Sequence, residues 1–420
     1  MSDAPVTLSQ VAREAGVSLA TASRAINGSA TRSVREDLRE RVLEAARRLA
    51  YSPDPSAQAM ARGRTTALGL VVHDIADPYF STIAAGVARA AEQAGLIVTL
   101  ASTEHSSERE LAFVELARRQ RSRAIILAGG RLEPEAGPTA EGGAAAGGGG
   151  VPASSGGDTP KPSGAAAASA AAGPTPGALE AALNAFQEAG GGVALVGQPI
   201  GGLPVVEIAN ADGAADLARA LHGHGYRRFA VLAGPDGHRT AADRTSGFTE
   251  ALAKLGSPVA PDDVLACPFT RDGGYSAMRD LIERAGGTVG GAAAPSDTAP
   301  SGGATSGTET PAAATPGGGG LPELVFAVND VMAVGAMAAV RDAGLSVPDD
   351  VAVAGFDDIH TLRDVSPGLT TVRIPLAEVG ELATELALGR AEQTSTTVRG
   401  EVVLRDSTPP RSDEPSASEA

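Results

Sequence analysis

Residues 6–27 read VTLSQVAREAGVSLATASRAIN. Between positions 18 and 27 they gather the hydroxyls of Ser18, Thr21 and Ser23, the guanidinium of Arg24 and the amide of Asn27. Hydroxyl and amide groups at the head of a helix suit phosphate oxygens, and an arginine can bind guanine through two nitrogens at once. The flanking residues supply the frame. Thr7 and Gln10 form a T-x-x-Q box that opens a helix with Leu8, Val11, Ala12 and Ala15 on its apolar face. Gly16 provides the positive φ of a tight turn, Val17 packs inward, and Ser18 caps a second helix over 19–26. Helix, short turn with glycine, helix is the helix-turn-helix pattern. Ser33 and Glu36 form another box, which predicts a third helix carrying Leu38, Val42, Ala45 and Leu49 on one face. A three-helix bundle used only for packing would show the same periodicity.

Catalytic chemistry finds little support. No Ser-His-Asp arrangement, P-loop or paired-carboxylate spacing stands out, and LAGPDGHRT (232–240) has glycines but neither the lysine nor the spacing of a phosphate loop. His222, His224, His238 and His360 are scattered, and HGHG at 222–225 reads as a helix end rather than a metal tract. The single Cys267 excludes a disulfide framework and a cysteine-ligated zinc site, and suits a reducing cytosol. We therefore expect no metal, no cofactor and no enzymatic activity.

Charge is divided along the chain. The whole carries −16, but residues 1–65 hold ten arginines against seven acids, a mildly basic head on an acidic body. Only Lys161 and Lys254 are lysines, and Ala, Gly and Arg abound, so arginine content alone carries little functional weight. Neither a signal peptide nor a long apolar span is visible, which points to a cytoplasmic protein without a membrane partner.

The body alternates. Short apolar runs at 67–72, 96–100, 124–128, 193–197, 229–233, 324–328 and 351–355 are separated by Ala/Leu-rich helical patterns at 80–94, 107–119, 178–189, 212–224, 241–255, 273–285 and 330–343. Strands apolar on both faces and separated by helices make parallel sheets, here two doubly wound lobes. Ligands bind such sheets outside the carboxyl ends of the strands. Segments 133–178 and 286–320 and the tail from 409 to 420 lack the apolar content to offset ordering, and are predicted to be disordered. The first leaves from the cleft side of its strand and the second from the far side. Between head and body, Asp54, Pro55 and Gly63 bracket a helix of about two turns, too short to hold itself together in water. A plain linker with a turn signal would look the same.

Together these motifs resemble the LacI/GalR family of transcriptional regulators. The resemblance runs from Val6 to about Thr408 through TLSQVAREAGVSLATASRAING, YSPDPSAQAMARGRTTALGLVV, DIADPYF, LPVVEIANADGA, TAADRTSGF, FAVNDVMAVGAM, GLSVPDDVAVAGFDDI, PGLTTVRIP and VVLRDSTPP. It implies an all-α helix-turn-helix head (1–52), a hinge helix and linker (53–66), and a bilobed periplasmic-binding-protein-like α/β domain for effector binding and dimerisation (67–408). It assigns Leu19, Ala20 and Arg24 to base reading and Ser18, Thr21, Ser23 and Asn27 to phosphates. In the hinge, Met60 stands at the minor-groove wedge and Ala57 at the helix–helix contact of a homodimer. The implied partner is a palindromic double-stranded operator with a central CG step, bound by a nucleoid-associated repressor. In the body it aligns His73, Asp212, Arg244, Asn329 and Asp357 with an effector cleft, to which Phe269 and Tyr79 or Phe80 would add a flat face; a sugar is the natural ligand, although the arginine and the last aspartate also occur in family members that bind purines. An ion pair between Arg244 and Asp357, or Asn329 as the opening residue of a helix at 330, would explain those residues without a ligand. The alternative from another class is a sugar-binding receptor on the same fold that does not bind DNA.

Overall fold

A computed structural model describes residues 6–27, 34–52, 64–130, 177–286, 320–391 and 393–411. The head is three helices, α1 (Leu8–Glu14), α2 (Leu19–Asn27) and α3 (Glu36–Arg48). The Thr7 N–H donates to Gln10 Oε1 at 2.7 Å, the Gln half of the expected box. Gly16 has φ 63°, and its turn is held by Arg41 of α3, whose Nη2 donates to the Ala15 carbonyl at 2.6 Å. Small side chains (Val11, Ala12, Ala15, Ala22, Ala25, Val42, Ala45) fill the core, so the helices approach closely. The third helix departs from expectation. It begins at Glu36 with Arg35 as N-cap, and Ser33 lies outside the described residues. Glu36 and Asp37 in the first turn supply the negative charge that a helix N-terminus favours.

Two parallel sheets form the body. The first runs β2 (Ile97–Ser102), β1 (Ala67–Val72), β3 (Ala124–Gly129), β4 (Gly192–Gly197), β5 (Val205–Ile208) and β11 (Ser395–Val398), in that spatial order. Alternate residues of its strands enter different cores. Leu68, Leu70, Ile126, Ala194 and Val196 face one way, and Val71, Ile125, Leu127, Val193 and Leu195 the other. Helices α4 (Pro78–Gln93) and α11 (Leu376–Ala387) cover the first side, and α5 (Ser107–Arg119) and α6 (Ala178–Glu188) the second. The second sheet has the order β7 (Val264–Ala266), β6 (Phe229–Gly234), β8 (Leu324–Ala327), β9 (Ala352–Ala354). It packs with α7 (Asn210–Gly223), α8 (Arg239–Lys254), α9 (Arg271–Arg284) and α10 (Asp330–Asp342).

The chain passes between the lobes after β5, between β10 (Thr371–Arg373) and α11, and between β11 and β12 (Glu401–Val403), where β10 and β12 pair antiparallel. These passages are tied together: the Ala209 N–H donates to the Val398 carbonyl at 2.9 Å.

Seven apolar runs became strands. Strands β5, β7, β10, β11 and β12 went unseen, because VVEI, VLA, TVR, STTV and EVV are too short or too polar to stand out, and helix α11 was not among the predicted helices. Most of the two segments predicted to be disordered, 133–178 and 286–320, lies outside the described residues, and α6 starts at Ala178. The hinge segment 53–63, with Ala57 and Met60, also lies outside them.

Candidate functional sites

On α2 the core takes Ala22 and Ala25, which turns the opposite side of the helix outward. Leu19 is 52% exposed, and Ala20 beside it is exposed too. Ser18 Oγ accepts from the Thr21 N–H at 3.1 Å and pairs with the Thr21 hydroxyl at 2.8 Å. Asn27 Nδ2 donates to Ser23 Oγ at 3.3 Å, and Arg24 Nε donates to the Ala20 carbonyl at 2.9 Å. Of the predicted residues Ser18, Leu19 and Ala20 are exposed and Thr21, Ser23, Arg24 and Asn27 half-buried, which brings apolar, hydroxyl, amide and guanidinium groups to the outer side of α2 and its N-terminus.

The second site lies where the carboxyl ends of the two sheets meet. The residue after β1 is His73, α4 begins with Asp77 as cap followed by Tyr79 and Phe80, and β3 ends at Gly129. From the other lobe come His238 before α8, Phe269 after β7, Asn329 after β8 and Asp357 after β9. Arg244 is the centre of this lobe's share. Its Nη2 donates to Asp357 Oδ1 at 2.7 Å, Nη1 to Asp357 Oδ2 at 3.2 Å and to the Val328 carbonyl at 2.7 Å, and Nε to Asn210 Oδ1 at 2.8 Å. Its guanidinium carbon also sits 4.0 Å over the Phe356 ring. A guanidinium needs such a full set of partners once it is buried.

Asp357 has φ 115°, a conformation side chains rarely adopt. It is held there from both sides. Its N–H donates to the Val372 carbonyl at 2.9 Å and its carbonyl accepts from Ile374 N–H at 3.3 Å. Behind it, the buried Asp330 accepts from the Ile359 N–H at 2.9 Å and from the Thr371 hydroxyl at 2.7 Å. Burial raises the Asp357 carboxyl to about 6, with Arg244 pulling against it. Burial, and Asp357 next to it, hold Asp330 well above the carboxylate range. Across the cleft, burial raises the Asp77 carboxyl, and it raises the Tyr79 phenol, to which Asp357 adds.

Not every predicted residue joins this group. Asp212, in the first turn of α7, is exposed and pairs with Arg399 Nη2 at 3.4 Å on the β11–β12 turn. Asn210 holds Arg244 instead. Two helical residues differ by about 200° in direction, so when one faces the cleft the other faces away. Asn329 caps α10, its Oδ1 accepting from the Met332 N–H at 2.8 Å, as the simpler account of that residue has it. The Arg244–Asp357 ion pair of the simpler account is present as well.

Spacing in the sequence does not single out His105, and leaves His238 among scattered histidines. His105 (φ 59°) stacks on His73 with centroids 4.2 Å apart and meets His238 at 6.1 Å. Phe80 touches His73 edge-on at 5.7 Å, and Phe269 touches His238 at 4.7 Å. Burial lowers His105, and lowers His238 to about 4, so both rings are neutral near pH 7. No local spacing could have revealed this group, since its members come from four separate strand ends. Among the described residues, no group of three or more His, Cys, Asp or Glu could hold a metal ion, and no helix is long and apolar enough to cross a membrane.

Comparison with known proteins bears on both sites. Residues 7–54 match the model for bacterial regulatory proteins of the lacI family, 65–136 that for periplasmic binding proteins and the sugar-binding domain of the LacI family, and 218–408 that for a periplasmic binding protein-like domain. The HTH-type transcriptional regulator GalS of Salmonella typhimurium is 29% identical, over 93% of this chain and 91% of its own. The HTH-type transcriptional repressor CytR of Escherichia coli is 27% identical, over 92% and 90%. Among solved structures, the lac repressor dimer bound to operator and an anti-inducer superposes with a TM-score of 0.67 at 21% identity, covering 96% of this chain and 99% of that one. A complex of the transcriptional regulator CelR with cellobiose gives 0.57 at 25% identity, over 96% and 99%.

Proposed function

Because the chain belongs to the LacI family, a DNA-binding transcriptional regulator with an effector domain, we propose that it is a homodimeric repressor. In this reading it binds a palindromic operator with a central CG step, and a sugar in the interlobe cleft shifts its affinity for DNA. The observation that carries the reading is the outward strip on α2, where Leu19 and Ala20 offer apolar contact and Arg24 offers hydrogen bonds. Apolar groups suit thymine methyls, so Arg24 carries most of the hydrogen-bonded specificity. Dimerisation is supported by β2, the edge of the six-stranded sheet, which leaves Ile97 68% and Leu100 40% exposed. An apolar edge of that kind calls for a cover. A sugar is supported by the mixed donors, acceptors and flat rings of the cleft, and by the relative captured with cellobiose.

Ligand and operator are coupled by whatever free-energy difference the ligand makes between open and closed lobes. The test is selection of bound sequences from a random duplex library by the full-length protein at near-physiological salt. The expected result is a palindrome with a central CG step. Uniform recovery of all sequences by both the full-length protein and the isolated head would overturn the reading.

A further inference from the structure

We propose that the interlobe cleft is built for an uncharged ligand that presents a hydrogen-bond donor to Nδ1 of His238, and that it turns away phosphorylated or carboxylated ligands. The inference rests on the reading of the cleft as the effector site and specifies the ligand's chemistry. Three observations carry it.

The first is a single atom. His238 is only 4% exposed, and among its buried polar atoms Nδ1 has no hydrogen-bond partner. Its ring is hydrogen-bonded by the backbone of Gly130, which belongs to the other lobe and lies on the Nε2 side. With the proton on Nε2, the lone pair on Nδ1 can only accept. An unmet buried acceptor is costly, so this atom selects a ligand O–H or N–H.

The second is the state of the cation. Arg244 is the guanidinium of this cluster, and its two-pronged fork is closed on Asp357 with Nε on Asn210. A phosphate or carboxylate would have to displace a buried carboxylate to reach it. Besides Arg244, the charged groups acting on His105, Tyr79 and Asp357 are acids: Asp74 and Glu110 on His105, and Asp77 on Tyr79 and Asp357; His238 itself is held neutral by burial, with His105 and Arg244 adding to it. An anion would meet these acids while the Arg244 guanidinium stays committed to Asp357.

The third is the distribution of rings. The chain has four Tyr, eight Phe and no Trp. Even so, Tyr79, Phe80, His73, His105, His238 and Phe269 form a continuous ladder of ring contacts from one lobe to the other. Flat ring faces beside a lone acceptor suit the C–H face and hydroxyls of an uncharged saccharide or of another uncharged polyhydroxylated ring.

The test has two arms on the full-length protein. In the first, nitrogen NMR of histidine-labelled protein reads the His238 ring at neutral pH. A neutral ring protonated on Nε2 is expected, and an Nδ1–H tautomer or an imidazolium overturns the proposal with no ligand needed. In the second, neutral mono- and disaccharides are paired with their phosphate monoesters, with inorganic phosphate as the bare anion, and read by thermal shift and by His238 chemical shift. Any sugar that binds is expected to do so at about tenfold lower concentration than its phosphate ester. His238→Leu should weaken it by about tenfold or more, while His238→Asn, which keeps an acceptor near Nδ1, should retain most of the affinity. Tighter binding of a phosphate ester, or displacement by inorganic phosphate, overturns the proposal. If none of the probes binds, the tautomer decides alone. An operator-releasing phosphorylated effector would sink this inference and leave the regulator reading standing, whereas failure of operator selection would do the reverse.

Discussion

The head and the cleft solve opposite problems with the same side-chain chemistry. In the head, the strip on α2 faces outward from a core of alanines and valines, and the side-chain bonds of Ser18, Thr21 and Arg24 stay within their own helix and its cap. In the cleft, Arg244, Asn210, Asp357 and Asp330 are buried, and each is held by hydrogen bonds to other parts of its lobe. The lesson is that the outward positions of α2, apart from the capping Ser18, tolerate change more readily than the buried cluster around Arg244.

That contrast is sharpest at Arg244. Replacing it with alanine leaves Asp357 buried without its counter-ion, which costs about 3–5 kcal/mol in stability. Denaturant unfolding should show this at pH 7.5 or so and show a smaller loss near pH 5, where Asp357, raised to about 6, takes up a proton. A loss below about 1 kcal/mol at the higher pH would erase the contrast.

Acid should act on the cleft as well. His238 is lowered to about 4 from an unfolded value of 6.5, so between these the unfolded chain binds more protons. Stability attributable to keeping the ring neutral is present above about 6.5 and is lost as pH falls towards 4, at most about 3 kcal/mol. Asp357 works in the other sense over part of this window, so the measurement is a comparison of unfolding free energies. The slope of stability against pH between 4 and 6.5 should flatten in His238→Asn relative to the unmodified chain. Equal slopes would place the acid sensitivity elsewhere.

In the head the expected effect is smaller and of another kind. Arg24→Ala should reduce binding to the selected operator by about 1–3 kcal/mol while relaxing preference at one base position. Its melting temperature should barely move, since surface changes of this sort stay within about 0.5 kcal/mol. Equal weakening on all sequences would reassign Arg24 to the phosphates.

Smallest of all should be Asp212→Ala. Its ion pair with Arg399 is exposed on both sides, and such pairs contribute about 0–1 kcal/mol. A titration of operator release by the effector should match that of the unmodified chain. A large shift would return Asp212 to the cleft.

The same contrast explains what could be read from the residues alone. Thr7 to Asn27 is a local pattern, in which caps, a glycine turn and 3.6-residue periodicity lie within one stretch of chain, and every element of it is found in place. The alternating body was equally visible wherever strands are apolar on both faces. The cleft was legible only where a motif flagged a residue. Asn210 and Asp212 stand two apart in IANADGA, and nothing in their types says which one the helix turns inward. The histidine ladder joins residues 73, 105 and 238, so its signal lies in three-dimensional neighbourhood and not in spacing. Strands β10, β11 and β12 were missed because partners far along the chain, rather than their own apolar content, hold them in place.

The pairing of β11 with β5 bears on how the chain comes off the ribosome. The six-stranded lobe opens with residue 67, yet its last strand spans Ser395–Val398 and its covering helix α11 spans Leu376–Ala387. The four-stranded lobe is complete by Ala354. During synthesis, then, the lobe begun first is finished last. Until nearly the whole body has emerged, β5 has a bare edge and the α11 side of β3 and β4 lacks that helix's cover.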